Sequence, residues 1–586
     1  MNVVRVVPDV PSFSVDDGFA YRASDRLTVG SIVRVPLGGR RVRGWVVSTG
    51  EPDRPRLREV LSVSGELPVF DHHLLDVLRW AASRYVAPLA AMLAKATPPN
   101  LPRLRVRPDL PPVPPRPPFG LSELSDQIAQ GGRSSPTTLV GPGPWSEALE
   151  GIVAGVAGAG RTVVVIAATF DEASTTADGL ARSMGDRVVL ASSRISAAET
   201  TAAWERVVTQ PGTVLVGTRE IGLWPWVSPG LVVLVGEGRR GMKDKATPTV
   251  HVREAVLRRS TVERFSVLLC DLVPSAEAVS RSGTVTSTAR RSWGHVEVVD
   301  RREDPVGTGL LAPVTVAALR AAVAEGRRVL LFTDRRVAAQ RCVRCRALRR
   351  CDGCGAGPGS GQVCSRCGSP VGACGACGGG RFEALGSGAP RVLADAGRLV
   401  GRENSGEVGS GRPVVVGTER DLPGLAVDLT IVVDADGPIL APHYRASEDA
   451  LRLLARAVAA AGSGRGRRAI VQTADPEHPV IETLRRGDPV EFIRADAARR
   501  AAMGFPPGGE VVALEASGLP DGAAADLVSE LGSRAEVLGP AQSGDGLRWL
   551  LQGRDLTAAR TVLRGVVGRW RESGARVRVD SDPIEL

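Results

Sequence analysis

Eight of the nine cysteines in this 586-residue chain form four C-x-x-C pairs in one short stretch. The pairs are Cys342/Cys345, Cys351/Cys354, Cys364/Cys367 and Cys374/Cys377. Two residues between cysteines allow both thiolates to reach one tetrahedral zinc ion from a tight turn. Glycines within and after the pairs permit the positive φ angles that such turns require. The pattern therefore predicts two structural zinc ions, each held by four thiolates.

Two other chemistries use clustered cysteines, a disulfide framework and an iron–sulfur centre. Disulfide frameworks are typical of small secreted chains, whereas this chain is long and its first residues, MNVVRVVPDV, lack the apolar stretch of a signal peptide. Iron–sulfur clusters are also bound by four thiolates, but paired ligands among glycines favour zinc. We therefore expect a cytoplasmic protein, and we expect the ninth cysteine, Cys270, to be a buried small hydrophobe.

The chain is basic, with a net charge of +10 and a pI of about 9.6. Such a charge favours a polyanionic partner such as nucleic acid, although an arginine-rich composition alone would also produce it. Lysine occurs only at Lys95, Lys243 and Lys245. No apolar run reaches the ~20 residues of a membrane span, so no membrane association is expected.

Four arginines interleave with the first cysteine pairs and are candidate contacts to DNA phosphates. They are Arg344, Arg346, Arg349 and Arg350. A solvated basic face is the alternative interpretation.

Apolar strands and helical patterns alternate through the middle of the chain, which predicts an α/β fold with parallel sheets. A first set of strands is predicted at Thr162–Ala167, Arg187–Leu190, Thr213–Val216, Leu231–Val235 and Ser266–Leu269. A second set is predicted at Arg328–Phe332, Pro413–Val416, Leu429–Val433 and Arg468–Gln472. The cysteine stretch interrupts the second set, so it is predicted to be an insertion. Two such units suggest, by analogy, the two RecA-like lobes of a nucleic-acid motor.

The remaining segments complete the predicted domain organisation. Residues 1–101 are predicted as a small β-rich domain with a helical tail over Leu67–Leu101, and residues 102–135 as a proline-rich linker. The first lobe spans 136–295, and the second spans 296–341 and 381–474 around a two-zinc module at 342–380. Residues 475–586 form a C-terminal α+β domain.

A nucleotide site would require a glycine-rich turn from a strand to a helix, with a lysine for the phosphates. Gly155–Thr162 fits the spacing, but a predicted helix precedes it and a strand follows it, so we interpret it as a helix-to-strand turn. The correctly placed turn, Gly141–Ser146, contains two prolines and no lysine. After the strand Leu231–Val235, only Glu237 stands where adjacent carboxylates would hold magnesium. No nucleotide-binding or catalytic residues are therefore predicted.

The motifs together resemble the bacterial replication-restart family PriA (primosomal protein N′), in a divergent form. The resemblance is carried by Gly30–Gly38 with Gly44–Val47, by Gly217–Arg219 and Asp334–Arg336, by Gly417–Glu419 and Asp434–Gly437, by the eight cysteines, and by Pro476–Pro479, Pro506–Pro507, Leu538–Pro540 and Val579–Pro583. Active members of the family are ATP-dependent DNA helicases. This chain lacks their phosphate-loop lysine and D-E-x-H box, and Ala460 and Ser463 replace the two arginines of their arginine motif.

The resemblance implies roles for individual residues. It implies that Cys342, Cys345, Cys374 and Cys377 bind one zinc ion and that Cys351, Cys354, Cys364 and Cys367 bind the other. It also implies a pocket for a 3′ DNA end in the N-terminal domain. The candidate residues of this pocket are Phe19, Tyr21, Gly38 and Arg58. Ala20 replaces the acidic residue of the family pattern, and the two aromatic rings either stack on a terminal base or fill the core.

The resulting hypothesis is a replication-restart protein that binds fork-like and single-stranded DNA. Its implied protein partners are the replicative helicase, the helicase-loading proteins and single-stranded DNA-binding protein. We expect no ATPase or helicase activity. The alternatives are an active 3′-5′ helicase with a cryptic nucleotide site around Gly160–Thr162, and a zinc-ribbon interaction scaffold that does not bind DNA.

Overall fold

The computed structural model describes most of the chain. The described residues are 2–24, 26–50, 57–105, 107–113, 126, 128, 134–305, 307–334, 340–352, 363–364, 369–384, 388–462, 464, 466–543 and 546–584. Cys354, Cys367, Arg335, Arg336 and Ser463 lie outside them. None of the described helices is both long and apolar enough to cross a membrane.

The N-terminal unit is an antiparallel sheet of five strands followed by two helices. Its strands are β1 (Asn2–Pro8), β2 (Phe19–Ala23), β3 (Ile32–Leu37), β4 (Arg40–Gly50) and β5 (Ser62–Ser64), in the order β2-β1-β4-β3-β5. The segment before β5 closes the sheet, since the Arg22 N–H donates to Arg58 O (2.9 Å) and the Leu61 N–H donates to Arg34 O (2.8 Å). The segment Leu67–Leu101, predicted to be helical, does contain helix, but the helix is divided. Two helices, α1 (His72–Arg84) and α2 (Leu89–Ala96), are separated by Val86 at φ +47° and by Pro88.

The first parallel sheet follows, and its apolar central strands are buried on both faces, as is typical of α/β units. Its strands are β6 (Thr137–Val140), β7 (Thr162–Ala167), β8 (Val188–Ala191), β9 (Val214–Gly217), β10 (Pro229–Val235), β11 (Ser266–Asp271) and β12 (Thr284–Ser287), in the order β12-β6-β11-β10-β7-β9-β8. Its helices are α3 (Trp145–Gly158), α4 (Phe170–Met184), α5 (Ala197–Thr209), α6 (Val252–Glu263) and α7 (Ala276–Arg281). The predicted burial of Cys270 is confirmed, because it is 0% exposed in β11.

The second parallel sheet has the order β13-β20-β19-β14-β18-β17. Its strands are β13 (His295–Asp300), β14 (Val329–Phe332), β17 (Ser405–Glu407), β18 (Val414–Gly417), β19 (Leu429–Val432) and β20 (Arg468–Thr473). Between β14 and β17 lie two further strands that pair antiparallel with each other, β15 (Gln340–Cys342) and β16 (Phe382–Ala384). We call this pair, with the cysteines beside it, the cysteine hairpin. The helices are α8 (Pro313–Ala324), α9 (Ala389–Val400), α10 (Asp436–Ile439) and α11 (Ala446–Ala459), and α12 (Pro479–Arg486) and α13 (Val490–Ala502) follow β20.

The C-terminal unit is a β-α-β-β-α-β sandwich of one sheet and two helices. Its elements are β21 (Glu510–Ser517), α14 (Ala523–Leu531), β22 (Glu536–Ser543), β23 (Gly546–Gly553), α15 (Thr557–Glu572) and β24 (Arg576–Ser581). All strand pairs are antiparallel, in the order β22-β23-β21-β24. One face carries Leu514 and Trp549, which are 0% exposed and pack in the core of this unit.

Candidate metal centre and nucleic-acid interface

The hairpin β15–β16 brings together four of the predicted cysteine ligands. The Sγ atoms of Cys342, Cys345, Cys374 and Cys377 all lie within 4.8 Å of one another. Each pair forms the same turn. The N–H of Arg346 donates to Cys342 O (3.0 Å), and the N–H of Gly378 donates to Cys374 O (2.7 Å). Both donors have positive φ, +66° and +72°, so each turn presents its two sulfurs on one side.

The chemistry of these four thiols fits a metal cation. The backbone N–H of Cys345 lowers the pKa of the Cys342 thiol to about 7. The N–H of Ala347 lowers the pKa of Cys345, but the thiols of Cys377 and Cys374 outweigh it and raise that pKa to about 12. Thiolates this close repel one another, so the four sulfurs ionise together only around a cation.

The described part of the second predicted ligand set repeats this geometry. The N–H of Cys364 donates to Ser369 O (2.8 Å), just as Cys342 donates to Ala347 O (2.9 Å) and Cys374 to Gly379 O (2.8 Å). Cys364 and Cys351 are buried, 2% and 3% exposed. Their predicted partners, Cys367 and Cys354, lie outside the described residues.

The four arginines beside the cysteines have different surroundings. Arg346 donates to Glu383 Oε1 (2.9 Å) and to Asp304 O (2.6 Å). Arg349 donates to Gln340 Oε1 (2.8 Å) and lies over the Phe382 ring, 4.3 Å from its centroid. Arg346 therefore ties the hairpin to the segment at Asp304, whereas Arg349 braces the two strands of the hairpin itself.

The other two arginines reach the surface. Arg344 is exposed and makes a long contact to Cys377 O (3.4 Å). Arg350 pairs with Asp475 Oδ2 (2.6 Å) but keeps 40% of its side chain exposed. Arg344 and Arg350 are thus the pair that solvent, or a phosphate, can reach.

The predicted 3′-end residues lie on the N-terminal sheet. Phe19 is 39% exposed at the start of β2, whereas Tyr21 is 3% exposed and its hydroxyl donates to Pro36 O (3.1 Å). Burial raises the pKa of Tyr21, and the charge of Arg58 partly offsets this effect. Gly38, at φ +55°, forms the open turn between β3 and β4, where an added Cβ would touch nothing. Of the two aromatic rings, only that of Phe19 is accessible for stacking.

The two glycine turns considered for phosphate lie where the sequence predicted. Gly160 and Arg161 join α3 to β7, and Arg161 Nη2 donates to Pro229 O (2.7 Å). The turn after β6 is filled by a neighbour, since a Cβ on Gly141 would lie 1.9 Å from Thr288 Oγ1.

A guanidinium from the second parallel unit reaches into the first parallel unit at Gly238. A Cβ on Gly238 would lie 2.5 Å from Arg452 Nη2. Arg452 Nε donates to Val273 O (3.2 Å), and Nη2 donates to Glu448 Oε1 (2.6 Å). Near this guanidinium, burial raises the pKa of Asp271 to about 6. The side chain of Arg452 therefore fills the space beside Gly238.

Further buried ion pairs join the two parallel units. Arg445 Nη1 donates to Glu277 Oε2 (2.9 Å), and its Nη2 contacts the other carboxylate oxygen. The Ala276 N–H donates to Glu448 Oε2 (3.3 Å), which also accepts from Arg500. We call Glu277, Arg445, Glu448, Arg452 and Arg500 the interface charge network. Their side chains are at most 9% exposed.

The sequence motifs did not reveal this network. Its members are spread from residue 277 to residue 500, so no local spacing connects them. The available signal was within α11, where Glu448 and Arg452 stand four residues apart among apolar residues.

Comparison with known proteins agrees with the motif assignment. Residues 5–98 match the family model of the PriA 3′ DNA-binding domain (3′BD). The chain is 26% identical to the probable replication restart protein PriA of Mycobacterium tuberculosis (strain ATCC 25618 / H37Rv), over 96% of this chain and 97% of the relative. It is 29% identical to that of Mycobacterium leprae (strain TN), over 59% of this chain and 58% of the relative.

A solved structure of RecG bound to a three-way DNA junction covers 66% of this chain, and 49% of RecG is covered, with a TM-score of 0.38 and 10% identity. The sequence matches confirm the predicted resemblance: over nearly its whole length this chain is similar to the replication restart PriA proteins.

Proposed function

We propose that the chain is a replication-restart protein that binds branched or abandoned replication forks and helps to load the replicative helicase without hydrolysing ATP. Its two parallel sheets act as degenerate helicase lobes. Its ligands are fork-like and single-stranded DNA, and its protein partners are the helicase, its loading proteins and single-stranded DNA-binding protein. The similarity to PriA proteins over 96% of the chain supports this role.

The position of Arg452 is the main observation in support of the proposed absence of ATP-driven helicase activity. A helicase of this type must open and close the cleft between its lobes as nucleotide binds and leaves. Here a guanidinium from one unit is packed against Gly238 and hydrogen-bonded to Val273 O of the other. A fixed cation thus stands beside the place where carboxylates would hold magnesium.

A phosphate-release assay on the pure protein tests this proposal. With forked DNA present, we expect DNA binding but no ATP turnover above the protein-free background. DNA-stimulated turnover that disappears in Arg161→Ala would identify the cryptic helicase instead. Absence of any fork binding at about 100 mM salt would instead support the alternative of a zinc-ribbon interaction scaffold that does not bind DNA.

The cysteine hairpin serves this role as a structural zinc module. Cys342, Cys345, Cys374 and Cys377 would hold one ion, and the repeated backbone hydrogen bond at Cys364 supports a second ion in the inner set. Closed four-thiolate sites stabilise a fold and leave no open position for a substrate. The module would therefore order a platform for DNA and for protein partners.

Replacing Phe19 by Ala should weaken binding to forks that carry a 3′ end at the branch. The exposed ring can stack on a terminal base, which is worth about 1–3 kcal/mol. Fluorescence anisotropy would compare forks with and without the 3′ leading end, with Val63→Ala on the same sheet as the control, since Val63 is also exposed (43%). An equal loss of affinity for both forks would exclude end recognition by Phe19.

The double replacement Arg344→Ala/Arg350→Ala should flatten the salt dependence of DNA affinity. Each arginine that neutralises one phosphate contributes about one unit to the slope of log K against log salt, so the slope should fall by about two. Arg398→Ala, at another exposed arginine (74%), is the matched control. An unchanged slope in the double variant would show that the hairpin does not contact phosphates.

A further inference from the structure

A cavity of about 460 Å³ lies between the N-terminal unit and the first parallel sheet, separate from the interface charge network. Residues after α2 form one side of it, and the loop after β8 and the turn at Arg219–Leu223 form the other. The loops therefore come from the carboxyl ends of parallel strands, where α/β proteins commonly bind ligands. Its volume is within the range of about 300–1,000 Å³ for small-molecule sites.

The inner walls of the cavity are apolar and firmly held. They include Ile221 (0% exposed), Leu223 (4%), Trp224 (5%) and Val252 (2%), which belong to a hydrophobic core shared by the N-terminal unit and the first parallel sheet. A Cβ on Gly222 would lie 2.3 Å from Val252 Cγ2, so the wall is packed without slack. The cavity therefore has a rigid apolar lining, as is usual for sites that bind small organic groups.

The mouth of the cavity offers both donors and acceptors. Asp244 accepts from Lys95 Nζ (2.8 Å) and from Arg219 Nε (2.7 Å), and Glu220 lies beside Arg219 (3.5 Å). Lys95 falls within the part of the chain that matches the 3′ DNA-binding domain. Alternating charges at the rim match the donors and acceptors on the edge of a heteroaromatic ring.

We infer that this cavity takes up one nucleobase of the bound DNA strand, turned out of its stack. The inference rests on the proposed DNA binding and adds a second recognition site to the surface around Phe19. The apolar lining contacts the ring of the base, and the groups at the mouth meet its polar edge. An extruded base costs least where the strand is already unpaired, so a single-stranded segment at a branch is the substrate that this site selects.

An abasic scan of a forked DNA tests the inference. One nucleotide at a time is replaced by an abasic site along the unpaired strand, and affinity is measured for the full-length protein. At the position whose base enters the cavity, the abasic fork should bind about five-fold or more weakly. Ala197→Phe, an exposed lining residue at the start of α5, should fill the cavity, weaken the intact fork similarly and abolish the abasic penalty.

Controls separate this inference from a folding defect and from the proposed function. Ala525→Phe makes the same change at an exposed residue in the first turn of α14 and should leave the scan unchanged. Ser193→Trp, in the loop after β8, obstructs the cavity without altering α5 and should reproduce the effect of Ala197→Phe. A flat scan with normal fork affinity, or a penalty that persists in both filled variants, overturns the inference alone. Failure to bind any fork overturns the proposed function with it.

Discussion

Replacing Arg445 by Ala should lower the free energy of unfolding of the two parallel units by about 3–5 kcal/mol, because it leaves Glu277 buried without its main partner. Glu277 is 5% exposed at its side chain, and the next guanidinium, that of Arg253, lies 3.8 Å away. Burial alone would raise the pKa of Glu277, but Arg445 and Arg253 hold it well below its usual value. This stabilisation is therefore present at neutral pH and is lost only as the pH falls through that lowered pKa.

Urea unfolding combined with native-state hydrogen exchange would measure the effect of Arg445→Ala. Amides of α7 and of the first turn of α11 should lose most protection, because Glu277 lies in α7 and Arg445 directly precedes α11. Arg420→Ala is the matched control, since that side chain is 66% exposed and pairs with the neighbouring Asp421 (3.3 Å), and it should cost less than about 1 kcal/mol. A loss below about 1 kcal/mol in Arg445→Ala would show that the network does not hold the units together.

A double replacement distinguishes an ion pair that itself stabilises the fold from one whose single replacement is costly only because the remaining charge is left buried and unpaired. Glu277→Leu/Arg445→Met removes both charges at similar volume and should be neutral or stabilising. This variant should also remain without ATP turnover, because Arg452 still fills the space beside Gly238. Recovery of turnover would place the block at Glu277–Arg445 instead.

Much of the parallel architecture could be predicted from the sequence, because central strands are continuous apolar runs. Thr162–Ala167 was predicted at its observed bounds, and the other predicted strands agree within about two residues. The edge strands Thr284–Ser287 and Ser405–Glu407 were not predicted, since a strand at an edge needs few apolar residues. The N-terminal helical segment is divided next to Pro88, which cannot continue a helix. The helical spacing of the leucines around this proline does not show the break.

The candidate site was predictable where spacing is local and not where it is tertiary. C-x-x-C pairs carry their geometry in four residues, and the four outer sulfurs do converge. The neighbouring arginines carry no such information, so nothing in the sequence separates Arg346, which binds Glu383, from the exposed Arg344. In β2, alternation alone puts Phe19 and Tyr21 on one face, and only the closure of the sheet buries the second ring.

Removal of zinc should unfold the cysteine hairpin while the two parallel sheets keep their structure. Structural zinc contributes roughly 10–16 kcal/mol of binding free energy at pH 7 to the small fold that it holds. The described part of the hairpin has two strands of three residues each, and beside the contacts of Arg346 and Arg349 its four sulfurs are its main point of convergence, so zinc should supply most of its stability. Chelation should therefore expose amides of residues 340–352 and 369–384 to hydrogen exchange, with most of the helical circular dichroism retained.

Single variants locate this effect at one ion. Cys374→Ser should reduce the zinc content from two equivalents to one, whereas Cys270→Ala, at a buried cysteine far from the hairpin in sequence, should leave it at two.

Gly379→Ala is the sharper probe, because its Cβ would lie 3.1 Å from Cys342 Sγ and 3.3 Å from Cys377 Sγ. Sulfurs fixed by a metal cannot move away from that methyl group, whereas free thiols can rotate. Gly379→Ala should therefore weaken zinc binding in a chelator competition while leaving the stability of the two sheets unchanged, and an unaltered zinc affinity would contradict a metal bound by these four sulfurs.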